Sequence, residues 1–262
     1  SLLRYTSLPP VGKPSAGGSF ILSSSMQVYL CPSPELYPLY HRPNSIVIIV
    51  DIFRASTTMV AAFAHGAKGI LPVASTEEAE ETGKRLGALI AAERNVVRCD
   101  FAQLGNDPAE YTTNLVSGRE IVFTTTNGTR ALTIAREHGA EEILVGALTN
   151  LRATIDYCQR SGRDIVVLAA GWKGQASMED MLYAGAFAVE AEATAGDDTT
   201  RMVRDLWQDH AATLEARTEY IKSSDHYARL EQAGFADCVT YCMSLSLFDL
   251  VLRLEDGWLR AL

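Results

Sequence analysis

The signatures that assign a chain to a chemistry at sight are mostly missing here. The five cysteines, Cys31, Cys99, Cys158, Cys238 and Cys242, include no Cys-x-x-Cys spacing. An odd count without that spacing argues against a disulfide framework and against a structural zinc site. There is no Lys/Arg run, and the net charge is −9, from 23 basic and 32 acidic residues. That balance excludes nucleic acid as the expected partner. No apolar stretch approaches the ~18 residues of a membrane span, so no membrane partner is expected. The N-terminus lacks a basic region followed by an apolar core, so a cytoplasmic protein with reduced thiols is expected. No Walker loop and no Gly-x-Gly-x-x-Gly at a strand end is found, so nucleotide binding is not indicated. A Gly-x-Ser-x-Gly elbow is also missing, which argues against a serine hydrolase.

What is present is a core-forming chain of 262 residues, 47% hydrophobic. Residues 1–25 are rich in Ser, Gly and Pro and read as a tail or an added extension, and Met26 looks like a natural start. Residues 26–262 read as one α/β domain. Ile46–Val50 is an unbroken β-branched run, as in a strand buried on both faces. It ends on Asp51, and Ser56 or Thr57 can cap a helix whose apolar face begins at Met59. Gln27–Cys31, Gly69–Val73, Glu120–Thr124 and Asp164–Ala169 read as further strands. Ser75 with Glu78 is a capping sequence for a helix to about Leu89. Ala92–Asn95 and Leu104–Pro108 read as polar loops, with a short helix from Pro108 to about Asn114. One long helix is expected over 200–222, and Ser224 caps another that ends at Gly234. Asp256-Gly257 signals a C-terminal hairpin that extends or covers a sheet edge.

Two segments, about 46–76 and 120–150, repeat one plan of strand, polar loop, helix, His-Gly-Ala and strand. A shift of 73 residues lays Asp51 over Thr124, Arg54 over Asn127 and Ser56 over Thr129. This reads as an internal duplication, whose two loops would face each other across one cleft. The expected fold is a three-layer α/β/α arrangement around a mostly parallel sheet.

Ligands of open α/β sheets sit at the carboxyl ends of strands, where helix N-termini attract anions. Asp51 and Arg54 lie at such a place, with the hydroxyls of Ser56 and Thr57 beside them. Thr124–Thr129, with Asn127, Gly128 and Thr129, can offer backbone N–H groups to a phosphate oxygen. Gly171-Trp172-Lys173-Gly174 is a second such loop. Together they point to a small phosphorylated ligand. Carboxylates beside phosphate imply Mg²⁺, with Asp51 the first ligand candidate and Glu179 or Asp180 the second. The simpler reading of Glu179 and Asp180 is first-turn charges that suit the helix dipole. His65 and His138 read as structural residues at helix ends; His226 lies in a helix cap, with a place at the site as the alternative. Asp51-Ile52-Phe53 lacks the second aspartate of the haloacid dehalogenase-type phosphatases.

At these loops the chain resembles the 2-phosphosulfolactate phosphatase family, from about Gln27 to Gly257. The resemblance rests on Val50–Thr58, Glu93-Arg94-Asn95, Leu104–Pro108, Thr124–Thr129, Ala170-Gly171, Glu179-Asp180, Ala184-Gly185 and Ser224-Asp225-His226. It differs where Ala92 and Val96 replace glycines around the Glu-Arg block, and where Leu252 stands at a common proline position. The resemblance implies a magnesium-dependent phosphatase that releases phosphate from 2-phospho-3-sulfolactate in a route towards coenzyme M. On that reading Asp51 and an acid from Glu179-Asp180 hold Mg²⁺. Arg54 and the Asn127–Thr129 backbone stabilise phosphoryl charge. Arg94, Arg130 or Lys173 hold the sulfonate and carboxylate. Water activated by Mg²⁺ or by Glu93 attacks phosphorus, or Asp51 itself attacks. The alternatives are a phosphatase for another phosphorylated hydroxy acid and a non-catalytic sensor of such acids. A homodimer is the assembly common among small α/β enzymes.

Overall fold

The structure is a computed structural model that describes residues 26–262, so the expected tail at 1–25 lies outside the described residues. The strands are β1 (Gln27–Cys31), β2 (Ile46–Val50), β3 (Gly69–Pro72), β4 (Leu89–Arg94), β5 (Val97–Arg98), β6 (Glu120–Thr124), β7 (Glu142–Gly146), β8 (Ile165–Ala169), β9 (Thr194–Ala195), β10 (Leu252–Glu255) and β11 (Trp258–Ala261). The helices are α1 (Tyr37–Tyr40), α2 (Ala55–Ala64), α3 (Thr76–Leu86), α4 (Thr113–Val116), α5 (Gly128–Glu137), α6 (Leu151–Ser161), α7 (Met178–Glu190), α8 (Asp198–His210), α9 (Leu214–Ile221), α10 (Asp225–Gln232) and α11 (Val239–Cys242). Among the described residues no helix is long and apolar enough to cross a membrane.

The strands form one sheet in the order β5-β4-β6-β3-β11-β10-β7-β2-β8-β1-β9. All five residues of β2 are buried, and strand alternation sends them to two different cores. Ile46, Ile48 and Val50 pack with Val60 and Phe63 of α2 and with Phe187 of α7. Val47 and Ile49 pack with Ala131, Leu132 and Ala135 of α5 on the other face. Helices therefore cover both faces, as the apolar patterning requires.

Within the sheet β7, β2, β8 and β1 form one parallel block and β3, β6 and β4 another. The two strand–loop–helix units cross between the blocks. β2 leads through α2 to β3, while β6 leads through α5 to β7; β2 pairs with β7 and β3 with β6.

Several local expectations are corrected. The C-terminal hairpin does not cover an edge. It lies mid-sheet, with β10 antiparallel to β7 and β11 antiparallel to β3, and joins the two parallel blocks. Its turn has Asp256 at φ 49° and Gly257 at φ 85°, the left-handed pair that a tight hairpin requires. The long helix expected over 200–222 is two helices, because Thr213 caps α9 by accepting from the Ala216 N–H. Buried Arg217 then donates to the freed carbonyls of Ala211 and Ala212 and to Met243. The α3 helix stops at Leu86 on the left-handed Gly87, so Leu89 opens β4. Ala92–Arg94 continue that strand rather than forming a loop: Ala92 pairs with Thr124 of β6, and Glu93 and Arg94 pair with Arg98 and Val97 of β5. Ser56 and Thr57 do not cap α2, which already begins at Ala55. Their hydroxyls bond back into the preceding loop, Ser56 Oγ accepting from Asp51 N–H and Thr57 Oγ1 donating to Ile52 O.

Candidate active site

Four strand-end loops meet at one solvent-open cleft of ≈390 Å³. Asp51, Phe53 and Arg54 come from the loop after β2, and Glu93, Asn95 and Val96 from the end of β4. Thr125, Thr126 and Asn127 follow β6, and Trp172 follows β8; Asn106, His226 and Leu230 complete the wall. The N-termini of α2 and α5 face each other at its base. A Cβ built on Gly128 would stand 3.2 Å from both Ala55 Cβ and Asp51 Oδ2, so the close approach of the two helices favours glycine there.

Asp51 is buried, and its Oδ1 accepts from the Ala55 N–H at 3.3 Å. Burial pushes its carboxyl up to about 6, with Glu179 and Glu93 adding to the rise and His226 and the Ala55 bond opposing it. Glu93 is buried too, and its Oε1 accepts from the Val96 N–H. The β4–β5 turn that carries Asn95 and Val96 has both in left-handed backbone, φ 51° and 73°. For a β-branched valine that is a strained conformation, and it leans on the Glu93 bond.

Arg54 is 2% exposed, with its guanidinium 4.3 Å from the Phe235 ring centroid. Its Nη1 stands 3.9 Å from Asp107 Oδ2 and has no hydrogen-bond partner among the described residues. Asn106 Oδ1 and Thr125 Oγ1, also on the cleft wall, are buried without partners. Asn106 is set in place by its neighbours. Thr58 Oγ1 donates to its carbonyl, while Tyr111 and Glu110 hold Gly105 from either side.

Glu179 and Asp180 are not surface charges for a helix dipole, since they are 0% and 2% exposed. Asp180 Oδ1 accepts from Ile52 N–H at 2.8 Å and Oδ2 from Gly171 N–H at 3.0 Å. One carboxyl thus ties the loop after β2 to the loop after β8. Burial, then the charges of Glu179 and Asp51, push it well above the usual carboxyl range. Glu179 Oε1 lies 2.5 Å from His226 Nδ1, while Oε2 is buried without a partner. The His226 ring meets Phe53 edge-on at 5.6 Å. With Nδ1 held by the carboxyl, Nε2 is the ring nitrogen left for the cleft.

The other expected residues are distributed unevenly. Arg94 bonds Glu93 O, Thr124 Oγ1 and Ala74 O, so its fork braces β4 and β6. Arg130 pairs with Glu35 on the surface and does not line the cleft. Lys173 is exposed with Nζ 4.6 Å from the Trp172 ring centroid, while its N–H donates to Asn127 Oδ1 and links two loops. Gly171 is at φ 59°, and a Cβ there would lie 2.2 Å from Gln175 O. Gly174 is left-handed at φ 85° in the same turn. Thr129 is buried in the first turn of α5, and its Oγ1 donates to Thr125 O. Asn106, Thr125 and Trp172 were missed as individual site residues, although each lies within a motif block already singled out.

A protein of Caldanaerobacter subterraneus subsp. tengcongensis named "Probable 2-phosphosulfolactate phosphatase" is 34% identical over 220 residues, 82% of this chain and 89% of that protein. Proteins with the same name from Thermotoga maritima and Thermotoga petrophila are 36% and 37% identical, each over 80% of this chain and 89% of the relative. The 2-phosphosulpholactate phosphatase family model matches residues 31–257, and the chain belongs to that family of phosphoric monoester hydrolases.

Proposed function

We propose that this protein is a magnesium-dependent phosphatase that hydrolyses 2-phospho-3-sulfolactate to 3-sulfolactate and phosphate in the cytoplasm, a reaction of coenzyme M biosynthesis. The observation that carries the reading is a buried arginine nitrogen without a hydrogen bond, Arg54 Nη1, in the same cleft as the buried carboxyl of Asp51. A buried cation with an open donor is costly unless an anion completes it. The first-turn amides of α5 add donors without intrahelical acceptors at the same place.

The donor set suits a small hard cation. Among the described residues no three His, Cys, Asp or Glu side chains form a ready-made metal cage. Mg²⁺ needs only one or two carboxylates, with water and phosphate oxygens as its other ligands. Asp51 and the partnerless Glu179 Oε2 would hold it. A bound Mg²⁺ neutralises charge on the phosphoryl oxygens and polarises the attacking water.

The remaining work falls to the chain's own groups. Arg54 and the α5 amides bind the phosphoryl oxygens and gain strength as charge gathers there. Water attacks phosphorus and passes a proton to the Glu93 carboxylate on the cleft wall, the bridging P–O bond breaks, and protonated His226 Nε2 gives its proton to the departing alkoxide. Glu179 Oε1 orients that ring through Nδ1–H and stabilises the imidazolium. Asp180 positions both loops without touching substrate. The test is phosphate release from 2-phospho-3-sulfolactate and a panel of phosphorylated hydroxy acids, with Mg²⁺ or EDTA, for wild type and Asp51→Asn. Turnover that needs Mg²⁺ and is lost in the variant is expected. Turnover of another panel member alone would change the substrate. Anion binding without any turnover would make the protein a sensor, and labelled phosphate trapped on Asp51 would replace the water attack.

A further inference from the structure

The reaction cleft has a neighbour. A second cavity of ≈560 Å³ shares two of its walls, Trp172 and His226. Ser177 and Met178 at the start of α7 line it, as do Ser223, Ser224 and Arg229 around α10. The Arg229 guanidinium lies over the Trp172 ring, 4.1 Å from its centroid, and Lys173 Nζ stands 4.6 Å from the same centroid. Arg229 Nε is buried without a hydrogen-bond partner. Among the described residues no carboxylate forms an ion pair with Arg229. Asp225 lies four residues before it and also lines the cavity, yet the guanidinium packs on Trp172 instead. Asp225 is exposed, so water screens its charge more than that of half-buried Arg229.

We infer that this second cavity is a subsite for an acidic group of the substrate beyond its phosphate and its 2-hydroxy-acid carboxylate, a sulfonate or second carboxylate held by Arg229 where it stacks on Trp172. This inference rests on the phosphatase reading for the place of the phosphate. Three observations carry it: the shared Trp172–His226 wall, the partnerless Arg229 Nε, and the engagement elsewhere of Arg94 and Arg130. Arg94 braces backbone carbonyls and Arg130 is paired with Glu35. The indole holds the planar guanidinium by its face, which leaves the edge donors for an oxyanion. The hydroxyls of Ser177 and Ser224 border the same space and can donate to it, whereas Ser223 Oγ already donates to Tyr220 O. A phosphate ester with such a further acid would therefore span both cavities, and one without it would fill only the first.

The experiment is calorimetric binding of the unphosphorylated acids to wild type, Arg229→Met and Arg229→Lys, together with a turnover ratio. The acids are 3-sulfolactate, malate and lactate, which carry a sulfonate, a carboxylate and no second acid. Wild type is expected to bind 3-sulfolactate, malate or both at least tenfold more tightly than lactate. Arg229→Met is expected to lose that preference, and Arg229→Lys to recover part of it. Which of the two diacids wins identifies the anion. In parallel, kcat/KM for 2-phospho-3-sulfolactate relative to phenyl phosphate should fall tenfold or more in Arg229→Met, chiefly through KM. A variant that keeps the wild-type preference, or a wild type that has none, overturns the subsite. Loss of the preference with no turnover of any ester by wild type would sustain the subsite and refute the phosphatase.

Discussion

Replacing Asp180 with asparagine separates a loop tie from a metal ligand. The amide can keep one of the two acceptor bonds, to Ile52 N–H or to Gly171 N–H. The other N–H then faces an NH₂ group inside the protein. Orphaning one buried backbone donor costs about 1–3 kcal/mol. Removing a carboxyl from beside Glu179 and Asp51 relieves part of that cost, because their charges push its pKa up. For a domain of this size each kcal/mol moves Tm by roughly 2–4 °C. A drop of about 2–12 °C in a thermal melt is expected, the upper part reached only if little charge relief occurs. The larger effect is on catalysis. The freed bond lets the loop of Asp51 or that of Gly171 shift, and a misplacement of about 1 Å can cost ~10²-fold in rate. The Mg²⁺ concentration for half-maximal rate should hardly move. A variant with unchanged Tm whose Mg²⁺ requirement rises about tenfold or more would make Asp180 a ligand and refute the tie.

Protons should compete with Mg²⁺ at Asp51. The carboxylate is the binding form and its carboxyl titrates at about 6, so Mg²⁺ affinity is flat above that pH and falls about tenfold per pH unit below it. Calorimetry at pH 5 and 7.5 checks this, and equal affinities would remove Asp51 from the metal site. His226→Asn should lower kcat by about 10²–10⁴. Glu179→Gln, which keeps the ring but removes its carboxylate partner, should also lower kcat; a kcat unchanged in both variants would exclude the dyad. Arg130→Ala should leave kcat/KM as in wild type and cost under about 1 kcal/mol, since its partner Glu35 is a surface carboxylate. A tenfold loss there would return Arg130 to the substrate site.

The fold and part of the site were legible because their signals are local. The β-branched run at 46–50, the Ser75 and Ser224 caps and the Asp256-Gly257 turn each depend on neighbours in sequence. The strand-end rule located Asp51, Arg54 and Asn127 for the same reason. Other features were not legible, because side chains far apart in sequence decide them. His226 meets Glu179 across 47 positions. Asp180 reaches Ile52 across 128, which turns a first-turn helix acid into a loop tie. Arg54, Arg94 and Arg130 all looked like anion receptors, yet only Arg54 ends in the cleft with an unspent donor. The hairpin's place between two parallel blocks also needed the fold, since a turn motif sets its own register but not which strands it joins. Sequence alone determined the elements and the strand ends that carry the chemistry, through periodicity, capping and turn residues. Tertiary structure alone decided which charges are buried together and which are paired away, because burial and partnership are set by residues that meet only when the chain has folded.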